Sequence, residues 1–236
     1  MSIIELTADE IVKDLNLTIP INLNKICENY NIKILYRNIN SADGYFIPTK
    51  KKIIISNKIK GTYKERFTIS HELGHYFNVN DKTYDLDVYC HSDYKAKQKQ
   101  SELEKEADEF AAELLMPKAY INKEIENIDI KNWQKLISLS LEYEVSLAAI
   151  LIKYIDNSCG NNRIGYFYNN RLIWQYGNQF DFKIEQNILN GQEKINSYTK
   201  NSNSNWINGN YDFTEEVLID KGNIKYLLIS VYTSEY

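Results

Sequence analysis

Phe67-Thr68-Ile69-Ser70-His71-Glu72-Leu73-Gly74-His75-Tyr76 is the stretch that decides the fold of this 236-residue chain. Apolar residues at Phe67, Ile69 and Leu73 predict a buried helix here. On a helix, histidines four positions apart share one face, one turn apart, and can hold a single ion. The alternative is a solvated helix with two incidental histidines. The chain has only 3 histidines, and two of them fall in this pattern, which favours a metal site.

Glu72, between the two histidines, is a candidate general base for a metal-bound water. Catalytic zinc sites use three protein ligands and leave one position open for water, whose pKa falls to about 7. A carboxylate beside the ligands can take the proton of that water during attack on a peptide carbonyl. We therefore expect Glu72 to act as a base and His71 and His75 to bind Zn²⁺. A His/His/Glu set is not exclusive to zinc, so Mn or Fe would also fit.

A second helix is predicted to bring the third ligand. Ser101-Glu102-Leu103-Glu104 matches a capping box, and an apolar stripe at Leu103, Ala107, Phe110, Ala111 and Leu114 follows it. The candidate ligands on this helix are Glu102, Glu106, Glu109 and Glu113. Asp108 and the remaining glutamates could accept hydrogen bonds from the histidine N–H groups. Spacing alone does not choose among them.

The rest of the chain predicts an α+β fold. Helical patterns cover residues 3–16, 21–30 and 130–155, and β-branched runs predict strands at 32–36, 44–47 and 52–56. Residues 80–100 show no periodicity and are expected to form a long loop or lid. A hairpin with an Asn169-Asn170 turn and strands at 213–219 and 224–232 predict a β-rich C-terminal module. The segment 135–155 is similar to a small helix-turn-helix.

Composition and charge exclude several classes of function. The net charge is −4 and only 4 of the 28 basic residues are arginine, so no basic surface is expected for nucleic acid or an anionic membrane. The first residues lack a signal-peptide pattern, and no apolar run approaches the ~20 residues that span a bilayer. Cys27, Cys90 and Cys159 are too widely spaced for a zinc knuckle. We expect a soluble cytoplasmic protein with reduced thiols, without direct nucleic-acid binding or a membrane anchor.

Two blocks together, residues 67–76 and 104–117, resemble the ImmA/IrrE family of metallopeptidases. The second block reads Glu104-Lys105-Glu106-Ala107-Asp108-Glu109-Phe110-Ala111-Ala112-Glu113-Leu114-Leu115-Met116-Pro117. The resemblance extends more weakly from about Ile4 to about Asn157. It implies a thermolysin-like (gluzincin) zinc site whose third ligand is the glutamate before the alanine, here Glu106. It also implies a helical zincin-like peptidase domain with a short sheet over residues 1–157, followed by the module at 158–236.

The family resemblance also implies a function. Its members cleave or inactivate helix-turn-helix repressors of mobile elements or stress genes, so the expected partner is such a repressor. The alternative is a non-cleaving, peptidase-like module that sequesters a repressor. A third possibility is an unrelated zinc hydrolase. We further expect Ile53, Ile54 and Ile55 to form the strand edge that pairs with substrate. His91 is a candidate for stabilising the transition state, against the alternative of a loop histidine without a role.

Overall fold

A computed structural model describes residues 3–40, 42–81, 94–126, 128–129, 132–158, 161–177, 184, 199–201 and 213–232. Its helices are α1 Ile3–Asp14, α2 Leu23–Asn29, α3 Tyr63–Asp81, α4 Tyr94–Leu115, α5 Lys118–Ile125, α6 Trp133–Glu142 and α7 Leu147–Asn157. Its strands are β1 Lys33–Arg37, β2 Gly44–Ile47, β3 Lys52–Ser56, β4 Asn161–Tyr168, β5 Arg171–Gly177, β6 Thr199–Asn201, β7 Phe213–Lys221 and β8 Ile224–Tyr232. The predicted α+β class is confirmed.

The chain divides into two compact units. The first contains Met1–Ile121 and Leu141–Ser146, and the second contains Asn122–Ser140 and Leu147–Tyr236. The boundary predicted at residue 157 does not coincide with this division. The reason is that α7 and most of α6 group with the C-terminal sheet, whereas Leu141–Ser146, at the end of α6 and the turn after it, groups with the first unit.

The first unit holds a three-stranded sheet in the order β1-β3-β2. Strand β3 pairs in parallel with β1 and antiparallel with β2. This corrects the expectation that Ile53, Ile54 and Ile55 form a substrate edge. These three residues lie in the central strand, where both sides are already hydrogen-bonded, and Ile53 and Ile55 are fully buried. Among the described strands of this sheet, β1 and β2 each have a partner on one side only.

Helices α3 and α4 pack on each other in the first unit. Gly74 makes the contact close: a Cβ built there would lie 3.0 Å from the Cα of Ala107. Leu73 on α3 and Ala107 and Leu114 on α4 are completely buried. The close packing of α3 and α4 therefore fixes the backbone positions of the residues that the sequence predicts as ligands.

Both ends of the segment expected to be a loop at 80–100 are helical, because α3 continues to Asp81 and α4 begins at Tyr94. Residues 94–100 are rich in Lys, Gln and Ala, which favour a helix even without an apolar stripe. Cys90 and His91 lie outside the described residues, as does Cys159.

The second unit combines two helices with an antiparallel sheet in the order β5-β4-β8-β7-β6. Helix α7 packs on β4 and β5. The predicted hairpin is present, and its turn residues Asn169 and Asn170 have φ of 50° and 62°, as a two-residue primed turn requires. Among the described helices of the whole chain, none is both long enough and apolar enough to cross a membrane.

Candidate metal centre

The predicted ligands His71 and His75 on α3 meet one carboxylate of α4, that of Glu104. The Nε2 atoms of His71 and His75 lie 3.0 Å apart. The carboxylate of Glu104 lies 3.2 Å from Nε2 of His71 and 3.5 Å from Nε2 of His75. Each residue offers a ligand atom, and these atoms all lie within 4.8 Å of one another. The helical spacing of four residues aligns the histidines, and the close packing of α4 brings in the carboxylate.

This donor set fits a zinc ion. With Zn–N and Zn–O distances of about 2.0–2.1 Å, a tetrahedral site places its ligand atoms about 3.3 Å apart. The two Nε2 atoms lie 3.0 Å apart, and each lies within 3.5 Å of one Glu104 carboxylate oxygen, Oε2 for His71 and Oε1 for His75. Two imidazole nitrogens and one carboxylate also match the ligand types of catalytic zinc sites, with a fourth position left for water or substrate.

Asp108 orients the first of the two histidines. Its Oδ1 lies 2.8 Å from Nδ1 of His71. A carboxylate at that nitrogen favours the tautomer with the proton on Nδ1, which leaves the Nε2 lone pair free for a metal. Asp108 stands one helical turn after Glu104, so one face of α4 supplies both groups.

Glu106, the ligand that the family resemblance implies, is not in this group. Each residue turns an α-helix by about 100°, so Glu106 faces away from the side that Glu104 and Asp108 share. Sequence reasoning missed Glu104 because it weighed the acidic residues of α4 singly. The sequence does contain a signal for Glu104. Glu104 and Asp108 are spaced i, i+4 on either side of Ala107, the small residue on which Gly74 packs.

Glu72 is a buried carboxyl group beside the ligands, with only 6% of its surface exposed. Burial raises its pKa to about 7, although the neighbouring His71 and a hydrogen bond from the Phe46 backbone N–H act to lower it. The charge of Glu104 raises it further. A cation held by the ligands would lower the pKa of Glu72 again and favour the carboxylate form.

Burial also shifts the pKa of His75, but downward. It lowers the pKa of the imidazole, and the nearby His71 lowers it too, whereas the carboxylates of Glu104 and Asp108 raise it. The net shift is downward, so His75 is neutral around pH 7 and keeps a lone pair for a metal.

A cleft of about 580 Å³ opens over this group. Residues from α3, from α4 and from the chain around β2 line it, so the metal ligands are reachable from solvent. Phe67 lies one turn before His71, with the two ring centroids 6.4 Å apart. Lys64 and Asp43 form an exposed ion pair of 2.6 Å, and both residues also line the cleft. Ile53, Ile54 and Ile55 do not line it.

Comparison with known proteins identifies the family and the fold of the region that contains this site. The model of the family Peptidase M78, described as the IrrE N-terminal-like domain, matches residues 27–154, which include all the grouped ligands. Among solved structures, a Mycobacterium tuberculosis transcriptional regulator is similar, with a TM-score of 0.65 at 9% identity. That match covers 98% of this chain and 88% of the other, and at such low identity it concerns the fold alone. No curated protein is significantly similar in sequence.

Proposed function

The chain belongs to the Peptidase M78 family of IrrE N-terminal-like domains, and from this premise we propose that it is a zinc-dependent endopeptidase. The observation that carries the proposal is the convergence of His71, His75 and Glu104 beside the buried carboxyl group of Glu72. A protein that only binds a partner has no need of a buried base next to a ligand set. We propose Glu104, in place of Glu106, as the third ligand.

Each residue of the site has a separate proposed role. His71, His75 and Glu104 would hold zinc, and Asp108 would fix the ring of His71. Bound zinc supplies Lewis-acid activation of water and of the peptide carbonyl. The Glu72 carboxylate accepts the proton of the attacking water and delivers it to the leaving amine. Burial raises the pKa of Glu72 and a bound cation would lower it, and these opposing effects suit a group that must both take up and release a proton.

The edge of β2 is the proposed place for an extended substrate. The carbonyl of Asp43 accepts a hydrogen bond of 2.8 Å from the Ser56 N–H of β3. Because main-chain groups alternate sides along an antiparallel strand, those of Gly44 and Phe46 face away from β3. The Phe46 N–H already donates to Glu72, so the Gly44 groups and the Phe46 carbonyl are the proposed contacts for substrate. A substrate strand can add to such an edge, and both residues line the cleft.

The proposed substrate is a regulatory protein, in particular a helix-turn-helix repressor of a mobile element or a stress response. The family resemblance motivates this proposal, and the structural neighbour described as a transcriptional regulator is compatible with a role in regulation. Two functions are compatible with this cleft: it could cleave the repressor, or it could bind the repressor without cleaving it.

The test is metal analysis and cleavage with the same preparations. Wild type, Glu72→Gln and His75→Ala would be assayed for zinc, and then incubated with a proteome-derived peptide library and with candidate repressors. We expect about one zinc in wild type and Glu72→Gln, cleavage in wild type alone, and loss of both in His75→Ala. Zinc-loaded wild type that cuts neither probe would overturn the peptidase assignment. Repressor binding that survives in Glu72→Gln without any cleavage in wild type would establish sequestration instead.

A further inference from the structure

Gly44 occupies a position where a side chain has no room. A Cβ built there would lie 2.6 Å from Cγ2 of Thr68 on α3, and 3.0 Å from both the Ile54 carbonyl oxygen and Cδ1 of Ile55. Only Gly61 and Gly222 of the described glycines have a φ in the left-handed region. The need for glycine at position 44 is therefore one of space: it allows β2 to lie directly against α3.

This close contact is next to the catalytic groups. Thr68 stands one helical turn before Glu72, and Gly44 stands two residues before Phe46, whose backbone N–H donates to the Glu72 carboxylate. Thr68 is 7% exposed, and its hydroxyl is fixed by a bond of 2.9 Å to the Lys64 carbonyl. The methyl group of Thr68 therefore cannot move away freely. A side chain at position 44 would have to lift the strand.

We propose that Gly44 is a positioning residue, which sets the height of the open β2 edge above α3 and so its distance from the ligands and Glu72. The inference rests on the proposed peptidase function, since it concerns where that function would hold its substrate. It assigns the task to the absence of a side chain at Gly44, because the Thr68 methyl group leaves no space for one.

The contact pair suggests a rescue experiment. Gly44→Ala introduces the clash, and Thr68→Ser removes only the Cγ2 methyl while keeping the hydroxyl. Gly165→Ala is a matched control in the other unit, because its Cβ would be similarly crowded, 2.8 Å from Cδ1 of Ile184. Each variant would be zinc-loaded, and its kcat and KM would be measured on a peptide that the wild type cleaves from the library.

We expect Gly44→Ala to keep its zinc and to lose about 10- to 100-fold in kcat/KM, mainly through KM, as a misplaced substrate site does. Relative to Thr68→Ser alone, the double variant Gly44→Ala/Thr68→Ser should recover part of the loss, because it removes the 2.6 Å contact and leaves those with Ile54 and Ile55. Gly165→Ala should lower thermal stability without changing KM. Unchanged kinetics in Gly44→Ala, or no recovery in the double variant, would overturn the proposal.

A second measurement is independent of cleavage. Hydrogen exchange of the segment 44–47 reports whether the Phe46 amide is still protected in the zinc-loaded protein. Faster exchange in Gly44→Ala that Thr68→Ser reverses is the expected result, and equal protection in all variants would contradict the inference. If wild type binds zinc but cuts no peptide, the peptidase proposal fails, and this exchange result still decides whether Gly44 positions the strand.

Discussion

At the scale of single residues, the choice of third ligand lies between two glutamates that stand two positions apart on α4. The carboxylate of Glu104 lies 3.2 Å from His71 and 3.5 Å from His75, and Glu106 turns away from them. We expect Glu104→Gln to lose bound zinc and Glu106→Gln, its matched control, to retain about one ion per chain. Inductively coupled plasma mass spectrometry after gel filtration measures this. The reverse pattern would return the role to Glu106.

A second residue-scale prediction concerns Cys27, which is 3% exposed on α2. Burial raises the pKa of its thiol to about 12, with a smaller contribution from Glu28. The reactive thiolate is therefore scarce at pH 8, and its fraction grows only as the pH approaches 12. We expect iodoacetamide to leave Cys27 unlabelled in native protein and to label it after denaturation, as peptide mapping would show. Rapid native labelling at pH 8 would contradict this burial.

At the scale of elements, the position of β3 changes what a substitution there should do. Proline is tolerated on an edge strand but not in the middle of a sheet, so a proline at Ile54 distinguishes the two positions. Because β3 is the central strand, proline there removes a ladder donor and strains both pairings. We expect Ile54→Pro to destabilise the protein by about 3 kcal/mol or more. Circular dichroism melting and zinc content should fall together, whereas intact zinc and stability with impaired cleavage would restore β3 as an edge.

The elements also show which features a sequence can predict. Helix α3 and the two-residue turn at Asn169-Asn170 depend on local spacing and local backbone preference, and both were predicted correctly. The strand order β1-β3-β2 depends on pairing between distant segments, and a run such as Ile53-Ile54-Ile55 reads alike in a central or an edge strand. The rotation of α4 about its axis likewise follows from packing on Gly74, so spacing alone could not separate Glu104 from Glu106.

At the scale of the whole molecule, the family match and the two compact units have different boundaries. The match ends at residue 154, within α7, whereas α7 and most of α6 group with the C-terminal sheet. The grouped ligands, in contrast, all belong to the first unit, because α3 and α4 lie entirely within Met1–Ile121. A metal should therefore act on the stability of one unit more than on the other.

This difference gives a prediction for metal removal. A ligand that binds only the folded state adds about 2.7 kcal/mol to the free energy of unfolding when its free concentration is 100 times Kd. This added stability should be greatest in α3 and α4, which zinc bound by His71, His75 and Glu104 would link. We expect hydrogen exchange to speed up in peptides of α3 and α4 after chelation by EDTA, with little change in β4 and β8. His75→Ala is the control, since its exchange should not respond to zinc or EDTA. Equal acceleration in β4 and β8 would mean that the two units unfold as one cooperative body, in which case zinc at α3 and α4 stabilises the entire chain.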